Sequence, residues 1–263
     1  MAKPHRVLIT GCSTGIGRAL AETLTARGHK VVATARSVET LKDLKAAAAL
    51  SLDVTSEDSV ARVVKEAGDI DVLVNNAGIG LWGPVEAASG AQVEKLFETN
   101  VFGPLRMQRA FLPQMRARRS GQIIQVSSAA GRVSGPLVGL YAASKHALEA
   151  MSEALRVEAA AFGVKVSIVE IGAVASAFPQ NRESAALAGY EEVVDKFTKR
   201  LMSQRTAPTS SEDVAESIAD IIEDGARDLR YEATADAVRI IAARRAQPDA
   251  EWESGLLASL AAQ

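Results

Sequence analysis

The chain has 263 residues with 30 Lys+Arg against 32 Asp+Glu, a formal net charge of −2, and 48% hydrophobic positions. This is a globular composition long enough to bury a sizeable core, and its balanced charge argues against a nucleic-acid binder working by phosphate neutralisation. A single cysteine (Cys12) excludes an internal disulfide, three scattered histidines (His5, His29, His146) offer no metal cluster, and no apolar run reaches the ~18 residues of a membrane span.

The Met1–Arg6 segment lacks the apolar stretch of a signal peptide, so the expected setting is the cytoplasm. Val7–Thr10 is a short apolar run stopped by glycine and reads as a strand buried on both faces. Residues 16–27 place Ile16, Leu20 and Leu24 on helical spacing, and Gly28 closes that helix. A second strand covers 30–35, a short helix 38–46, and a third strand 50–54. Ser56 can cap a helix running to about Ala67. Strand four is 71–74, a long helix spans 90–117, strand five is 122–126, a second long helix 139–162, and strand six 164–169. Strand, helix, strand with short connections predicts a parallel, doubly wound sheet with helices on both faces. Residues 173–210 break that rhythm and are expected to cover a ligand beyond the carboxyl ends of the strands. Sheet periodicity returns weakly at Leu229–Tyr231, and 246–263 reads as a peripheral tail or short helix.

Three motifs carry chemistry. Gly11-Cys12-Ser13-Thr14-Gly15-Ile16-Gly17 follows the first strand, and its glycines suit a tight turn and close backbone approach to a pyrophosphate at a helix N-terminus. Asn75-Asn76-Ala77-Gly78 ends strand four at the same sheet edge, where a ribose would lie. Ser128 ends strand five, and 13 positions later Tyr141-Ala142-Ala143-Ser144-Lys145 opens a helix, with Tyr141 and Lys145 on one face. An ammonium beside a phenol favours the phenolate and is expected to move Tyr141 toward neutrality, making it an acid/base for a carbonyl/alcohol pair. Ser128 can donate to the substrate oxygen. Pro104 removes the N–H that the Asn100 carbonyl would accept, so the helix should kink there and leave a carbonyl free to hold a water.

Together these motifs resemble the short-chain dehydrogenase/reductase family over about residues 5–245, most closely its 17β-hydroxysteroid dehydrogenase-like branch. The resemblance implies one Rossmann-type domain over 1–263 with a seven-stranded parallel sheet. It also implies a catalytic tetrad of Asn100, Ser128, Tyr141 and Lys145, and no metal. Dinucleotide contacts carried over by position are Gly11, Ser13, Thr14, Gly15, Ile16, Gly17, Asp53, Val54, Asn76, Ala77, Gly78, Tyr141, Lys145, Gly172, Val174 and Ser176. One departure concerns Glu170-Ile171-Gly172-Ala173-Val174-Ala175-Ser176. Ile171 replaces the family's proline, which is expected to loosen the covering loop, and Ser176 replaces its threonine but keeps the hydroxyl.

Arg36 stands 19 residues after Gly17, near the ~20-residue spacing of the ribose-reading position. A guanidinium there favours a 2′-phosphate, so NADP(H) is expected over NAD(H). Leu81, Trp82, Leu137, Val138 and Phe178 are candidates for an apolar substrate pocket, or equally for ordinary core. The reading is an oxidoreductase that interconverts a ketone or aldehyde with an alcohol, and the resemblance implies a bulky hydrophobic substrate, steroid-, retinoid-, terpene- or aryl-ketone-like. The rival reading is a regulator that senses NADP(H) without turning it over, and another Rossmann enzyme such as a methyltransferase or epimerase is a third. Apolar residues on several faces of the long helices (Phe97, Val101, Phe102, Leu105, Met107, Phe111, Leu112; Leu148, Met151, Leu155) suggest a homodimer or homotetramer.

Overall fold

Seven parallel strands form the main sheet of the computed structural model, which describes residues 4–176, 178–203 and 207–261. The predicted tail and insertion therefore lie outside the described residues at 262–263, 177 and 204–206. The strands are β1 (Arg6–Ile9), β2 (Lys30–Ala35), β3 (Ala48–Ser51), β4 (Val72–Asn75), β5 (Gly121–Val126), β6 (Val164–Glu170) and β7 (Arg230–Glu232). Their order across the sheet is β3-β2-β1-β4-β5-β6-β7, so the winding reverses between β1 and β4. Beyond the carboxyl ends of those two strands lies the crevice where such sheets bind ligands.

Alternation within each strand divides the core into two layers. Val7, Ile9, Val31, Ala33, Val72 and Val74 face one layer, built with α1 (Gly15–Ala26) and α7 (Ser211–Glu223). Leu8, Val32 and Leu73 face the other, built with α2 (Glu57–Ala67) and α4 (Gly103–Ala117). A strand covered on both faces needs apolar residues at every position, which is why these runs lack polar alternation.

Most predicted elements stand where the sequence put them. Ser56 caps α2, accepting from the Ser59 N–H at 3.2 Å. Three expectations change. The helix over 38–46 shrinks to one 3-10 turn, Val38–Leu41, and β3 begins at Ala48 instead of 50. Pairing Val32 with Ala48 and Ala35 with Ser51 sets the early start of β3, and residues 42–47 reach it as turn and irregular chain. The long helix over 90–117 divides into α3 (Gly90–Phe97), a π-helical turn at Glu98–Phe102, and α4. Pro104 sits in the first turn of α4, consistent with the expected break. The second long helix is α5 (Gly139–Ala160).

The stretch after β6 is more ordered than its sequence suggested. Short strands Val174–Ala175 and Arg182–Ser184 pair in parallel with Thr209–Ser210 and Gly80–Trp82, respectively. Helix α6 (Glu191–Ser203) follows, and it packs against α9 (Asp249–Ala261), the helix that forms most of the predicted tail. Helices α7 and α8 (Ala235–Ala246) were not predicted. Of the apolar surplus on the long helices, Val101, Met107, Phe111 and Leu148 are core residues, whereas Phe102 is 43% exposed.

Candidate active site

The glycine turn after β1 opens the site. Gly11 and Gly15 have φ of +75° and +58°, a left-handed backbone that side chains disfavour. Gly17 is required by contact: a Cβ there would fall 2.3 Å from the Gly11 carbonyl oxygen and 2.4 Å from Asn76 Nδ2. Gly17 therefore sits behind the loop, and it packs α1 on the sheet without lining the cleft. Thr14 is the N-cap of α1, yet its side chain makes no capping hydrogen bond, which leaves the hydroxyl for a ligand.

Thr10 ties this loop to the end of β4, a role the motifs did not reveal. Its Oγ1 accepts from the N–H groups of Asn76 and Ala77, each at 3.0 Å. In return Asn76 Nδ2 donates to the carbonyls of Thr10 (2.8 Å) and Gly11 (3.1 Å). A threonine ending an apolar run was the available signal.

A cleft of about 510 Å³ runs from this loop across the sheet edge. Ser13, Thr14, Gly15, Ile16, Arg36, Asp53 and Val54 line one end. Asn76, Ala77 and Gly78 lie between, and Ser128, Tyr141, Lys145, Gly172, Val174 and Ser176 complete the walls. Among the substrate candidates, Leu81, Trp82, Val138 and Phe178 line the cleft. Leu137 does not: it is 4% exposed, with φ of +67°, in the turn before α5.

Asn100 is 1% exposed and reaches the site through the backbone. Its Oδ1 accepts from the Ile79 N–H, and its Nδ2 donates to the Ile79 carbonyl and to Ser144 Oγ at 3.1 Å. Ser144 Oγ donates to the Tyr141 carbonyl, which joins the π turn to the start of α5.

Lys145 Nζ donates to the Val126 carbonyl at 2.9 Å and lies 6.0 Å from the centre of the Tyr141 ring. Burial pushes the ammonium down to about 8, against an upward pull from Glu149. Tyr141 departs from expectation. Burial pushes its phenol up to about 12, and the Ser128 hydroxyl only partly offsets this. Desolvating a phenolate costs more here than the lysine returns, because Lys145 is engaged with a carbonyl and not with the phenol oxygen.

The Ile171 segment is not loose at its start. Gly172 N–H donates to Thr234 Oγ1 at 2.9 Å, and Ala173 N–H to Asp236 Oδ2 at 2.7 Å. These side chains from the start of α8 hold the turn without a proline. Ser176 lies against the glycine loop, where a Cβ on Gly15 would stand 3.2 Å from Ser176 Cβ.

Behind the site, Glu149 and Glu170 are buried side by side. Arg230 Nε reaches both (3.2 and 3.4 Å), and Arg132 lies 3.1 Å from Glu170. Glu149 also accepts from Ser127 Oγ at 2.8 Å. Burial, with Glu149 nearby, raises the Glu170 carboxyl above its ordinary value.

A doubly wound sheet with a glycine turn at its switch point and a Ser, Tyr and Lys on the same cleft defines a dinucleotide-dependent oxidoreductase of the Rossmann type. The family model "short chain dehydrogenase" matches residues 5–186, and the chain belongs to that family. It is 39% identical over 204 residues to 3-ketodihydrosphingosine reductase of Bacteroides thetaiotaomicron, covering 76% of this chain and 75% of that protein. It is 41% identical over 206 residues to human 17-beta-hydroxysteroid dehydrogenase type 1, covering 72% of this chain but 62% of that protein's length. Among solved structures, a short-chain dehydrogenase from Streptomyces avermitilis superposes with a TM-score of 0.84 at 35% identity, covering 95% of this chain and 96% of the other. A Burkholderia cenocepacia relative in complex with NADP gives 0.80 at 28% identity, covering 97% and 98% of the two chains. One from Burkholderia phymatum in complex with NAD gives 0.79 at 26%, covering 95% of each.

Proposed function

We propose that this chain is an NADP(H)-dependent oxidoreductase that interconverts a ketone or aldehyde with an alcohol on a hydrophobic small molecule. The observation that carries the reading is one cleft with the glycine turn and Arg36 toward one end and Ser128, Tyr141 and Lys145 toward the other. The residues fit a dinucleotide: Gly17 is excluded from bearing a side chain, Thr14 keeps a free hydroxyl, and Asp53 and Val54 flank the Arg36 end. Reduced nicotinamide, when bound, supplies a hydride to the carbonyl carbon.

The chain's own residues do the rest. Ser128 donates a hydrogen bond to the substrate oxygen. Tyr141, a neutral phenol at pH 7 with its value near 12, gives that oxygen its proton as the carbon–oxygen π bond becomes an alkoxide. Lys145 remains largely an ammonium below about pH 8 and favours the phenolate left behind. Asn100 holds Ile79 in place, and its own carbonyl, at the π turn, is the candidate ligand of a proton-relay water. The described residues of the 173–210 stretch cover the substrate, with Val174, Ser176, Phe178 and Asn181 on the cleft. Leu81, Trp82, Val138 and Phe178 provide an apolar wall of the kind a steroid-, retinoid-, terpene- or aryl-ketone-like molecule needs. The relatives' names, a sphingoid-base reductase and a steroid dehydrogenase, support a bulky apolar substrate.

Oligomerisation belongs to the same proposal. Val157 on α5 is 77% exposed, and Phe102 and Phe162 are also exposed, which supports pairing through α4 and α5. Light scattering at micromolar concentration tests this, and a monomer mass overturns it.

Tyr141→Phe tests the reaction. NADPH-driven reduction of a responsive ketone should fall by about 100-fold or more while NADPH still binds. A rate near that of the unmodified protein overturns the mechanism. NADPH binding without turnover across a broad carbonyl panel returns the sensor reading.

A further inference from the structure

Four cations and one carboxylate line the cleft: Arg36, Lys95, Lys145 and Arg182 against Asp53. Three of the cations have an assignment or a counter-charge. Arg36 and Asp53 lie toward the glycine-turn end, Lys145 belongs with Tyr141, and Lys95 Nζ is neutralised by Glu183 Oε1 at 2.5 Å. Arg182 differs. Among the described residues it forms no ion pair, although it is held in a defined place.

Two contacts hold it. The strand Arg182–Ser184 pairs in parallel with Gly80–Trp82, which fixes the root of the side chain. The guanidinium carbon then lies 4.9 Å from the centre of the Trp82 ring. A guanidinium on an aromatic face keeps its in-plane N–H donors free for a planar anion. Gly80 lies close beneath both side chains: a Cβ there would stand 3.1 Å from Arg182 Cγ and 3.2 Å from the Phe178 ring. Phe178 in turn lies 5.9 Å, ring to ring, from Tyr141. A path along the wall therefore leads from the Tyr141 ring past Phe178 to the exposed Arg182, a cation with no ion pair among the described residues, with Leu81, Trp82 and Val138 as apolar lining.

We propose that Arg182 is a substrate anchor that selects carbonyl compounds or alcohols with an apolar body ending in a carboxylate. The inference rests on the carbonyl-reductase reading of the same cleft and adds to it the charge of the substrate. The phosphates of a dinucleotide are served elsewhere, by the glycine turn, Thr14 and Arg36, and Ser176 rather than Arg182 abuts Gly15.

The test is calorimetric binding of 4-benzoylbutyrate and of its methyl ester to the protein saturated with NADP+, a combination that permits no ketone reduction. The acid should bind about 10- to 100-fold more tightly than the ester, the range for a charge-assisted contact. Arg182→Gln should bring that ratio close to one, and Arg182→Lys should keep part of it. Equal affinities in the unmodified protein, failure of both compounds to bind, or a ratio that survives Arg182→Gln would each overturn the anchor. A loss of NADP+ affinity in Arg182→Gln with the acid-to-ester ratio unchanged would reassign Arg182 to the cofactor and overturn it as well. Turnover is measured separately: acid-selective binding without NADPH oxidation leaves the anchor standing and removes the reductase reading.

Discussion

Asn100 and Ile79 exchange two hydrogen bonds, each 2.9 Å: the Asn100 Nδ2 donates to the Ile79 carbonyl, and the Ile79 N–H donates to Asn100 Oδ1. This reciprocal pair fastens the π turn at Glu98–Phe102 to the loop that follows Gly78, close to Lys145: a Cβ on Gly78 would lie 3.3 Å from Asn100 Oδ1 and 3.8 Å from Lys145 Nζ. Asn100→Ala leaves two Ile79 backbone groups without partners, at a cost of about 1–3 kcal/mol. Asn100→Asp keeps the acceptor but loses the donor. Urea unfolding should show both variants less stable than the unmodified protein, with kcat reduced more in Asn100→Ala. Unchanged midpoints would show that the clamp contributes nothing.

The second prediction concerns pH. Burial brings Lys145 to about 8 and Glu149 pulls it up. In the free enzyme the ammonium should therefore lose its proton near pH 8, and kcat/KM for NADPH should fall with rising pH through that value. Tyr141, near 12, stays protonated throughout. Glu149→Gln removes the upward pull, so the descending limb should move to lower pH. The sign for stability is opposite. A depressed lysine value means the folded state binds this proton more weakly than the unfolded chain, so Lys145 lends stability above its unfolded value, and this is lost as pH falls through about 8. A limb that stays in place in Glu149→Gln would remove Glu149 from control of Lys145.

The third concerns the choice of cofactor. The exposed Arg36 and the uncapped Thr14 hydroxyl are offered at one end of the cleft. The unmodified protein should show kcat/KM for NADPH about 10- to 100-fold above that for NADH, and Arg36→Asp should abolish or reverse the preference. Equal values for the two cofactors, or a preference for NADH, would refute it.

The fourth tests the packing glycine. A methyl group on Gly17 has no room between the Gly11 carbonyl and Asn76 Nδ2. Gly17→Ala should destabilise by about 1–3 kcal/mol and weaken NADPH binding, because relief of the clash shifts the Thr10–Asn76 contacts that shape the loop. Full affinity and an unchanged Tm would show that the loop yields at no cost.

The fifth concerns the buried carboxylates. Arg230→Gln removes the cation that reaches both Glu149 and Glu170, leaving Arg132 as the remaining counter-charge. Stability at pH 7 should fall by about 2–4 kcal/mol. Lowering the pH should recover part of it, because Glu170, already raised, is then protonated at less cost. A deficit that does not change with pH would place the loss in packing instead.

The periodicities alone determined the strands and their two-faced burial. Val7 and Ile9 enter one core layer and Leu8 the other because side chains alternate along any extended chain. Ser56 as a cap and Pro104 as a helix breaker are equally local. So is the pairing of Tyr141 with Lys145 on one helical face, one turn apart. Helix α7 went unpredicted although Val214, Ala215, Ile218, Ala219 and Ile222 stand on helical spacing behind the Ser210 cap, whereas α8 has no clear apolar face to read. Tertiary structure decided what depends on distant segments meeting. β3 starts early because β2 dictates its register. Thr10 matters because β4 ends beside it, and Thr234 and Asp236 hold the turn that lacks a proline. The phenol of Tyr141 rises instead of falling because desolvation depends on everything packed around it. Arg182 acquires meaning only over Trp82, a residue 100 positions away in the chain. Periodicity and capping are properties of neighbouring residues, whereas burial and long-range hydrogen bonds are not, so the sequence shows the first and only the folded chain determines the second.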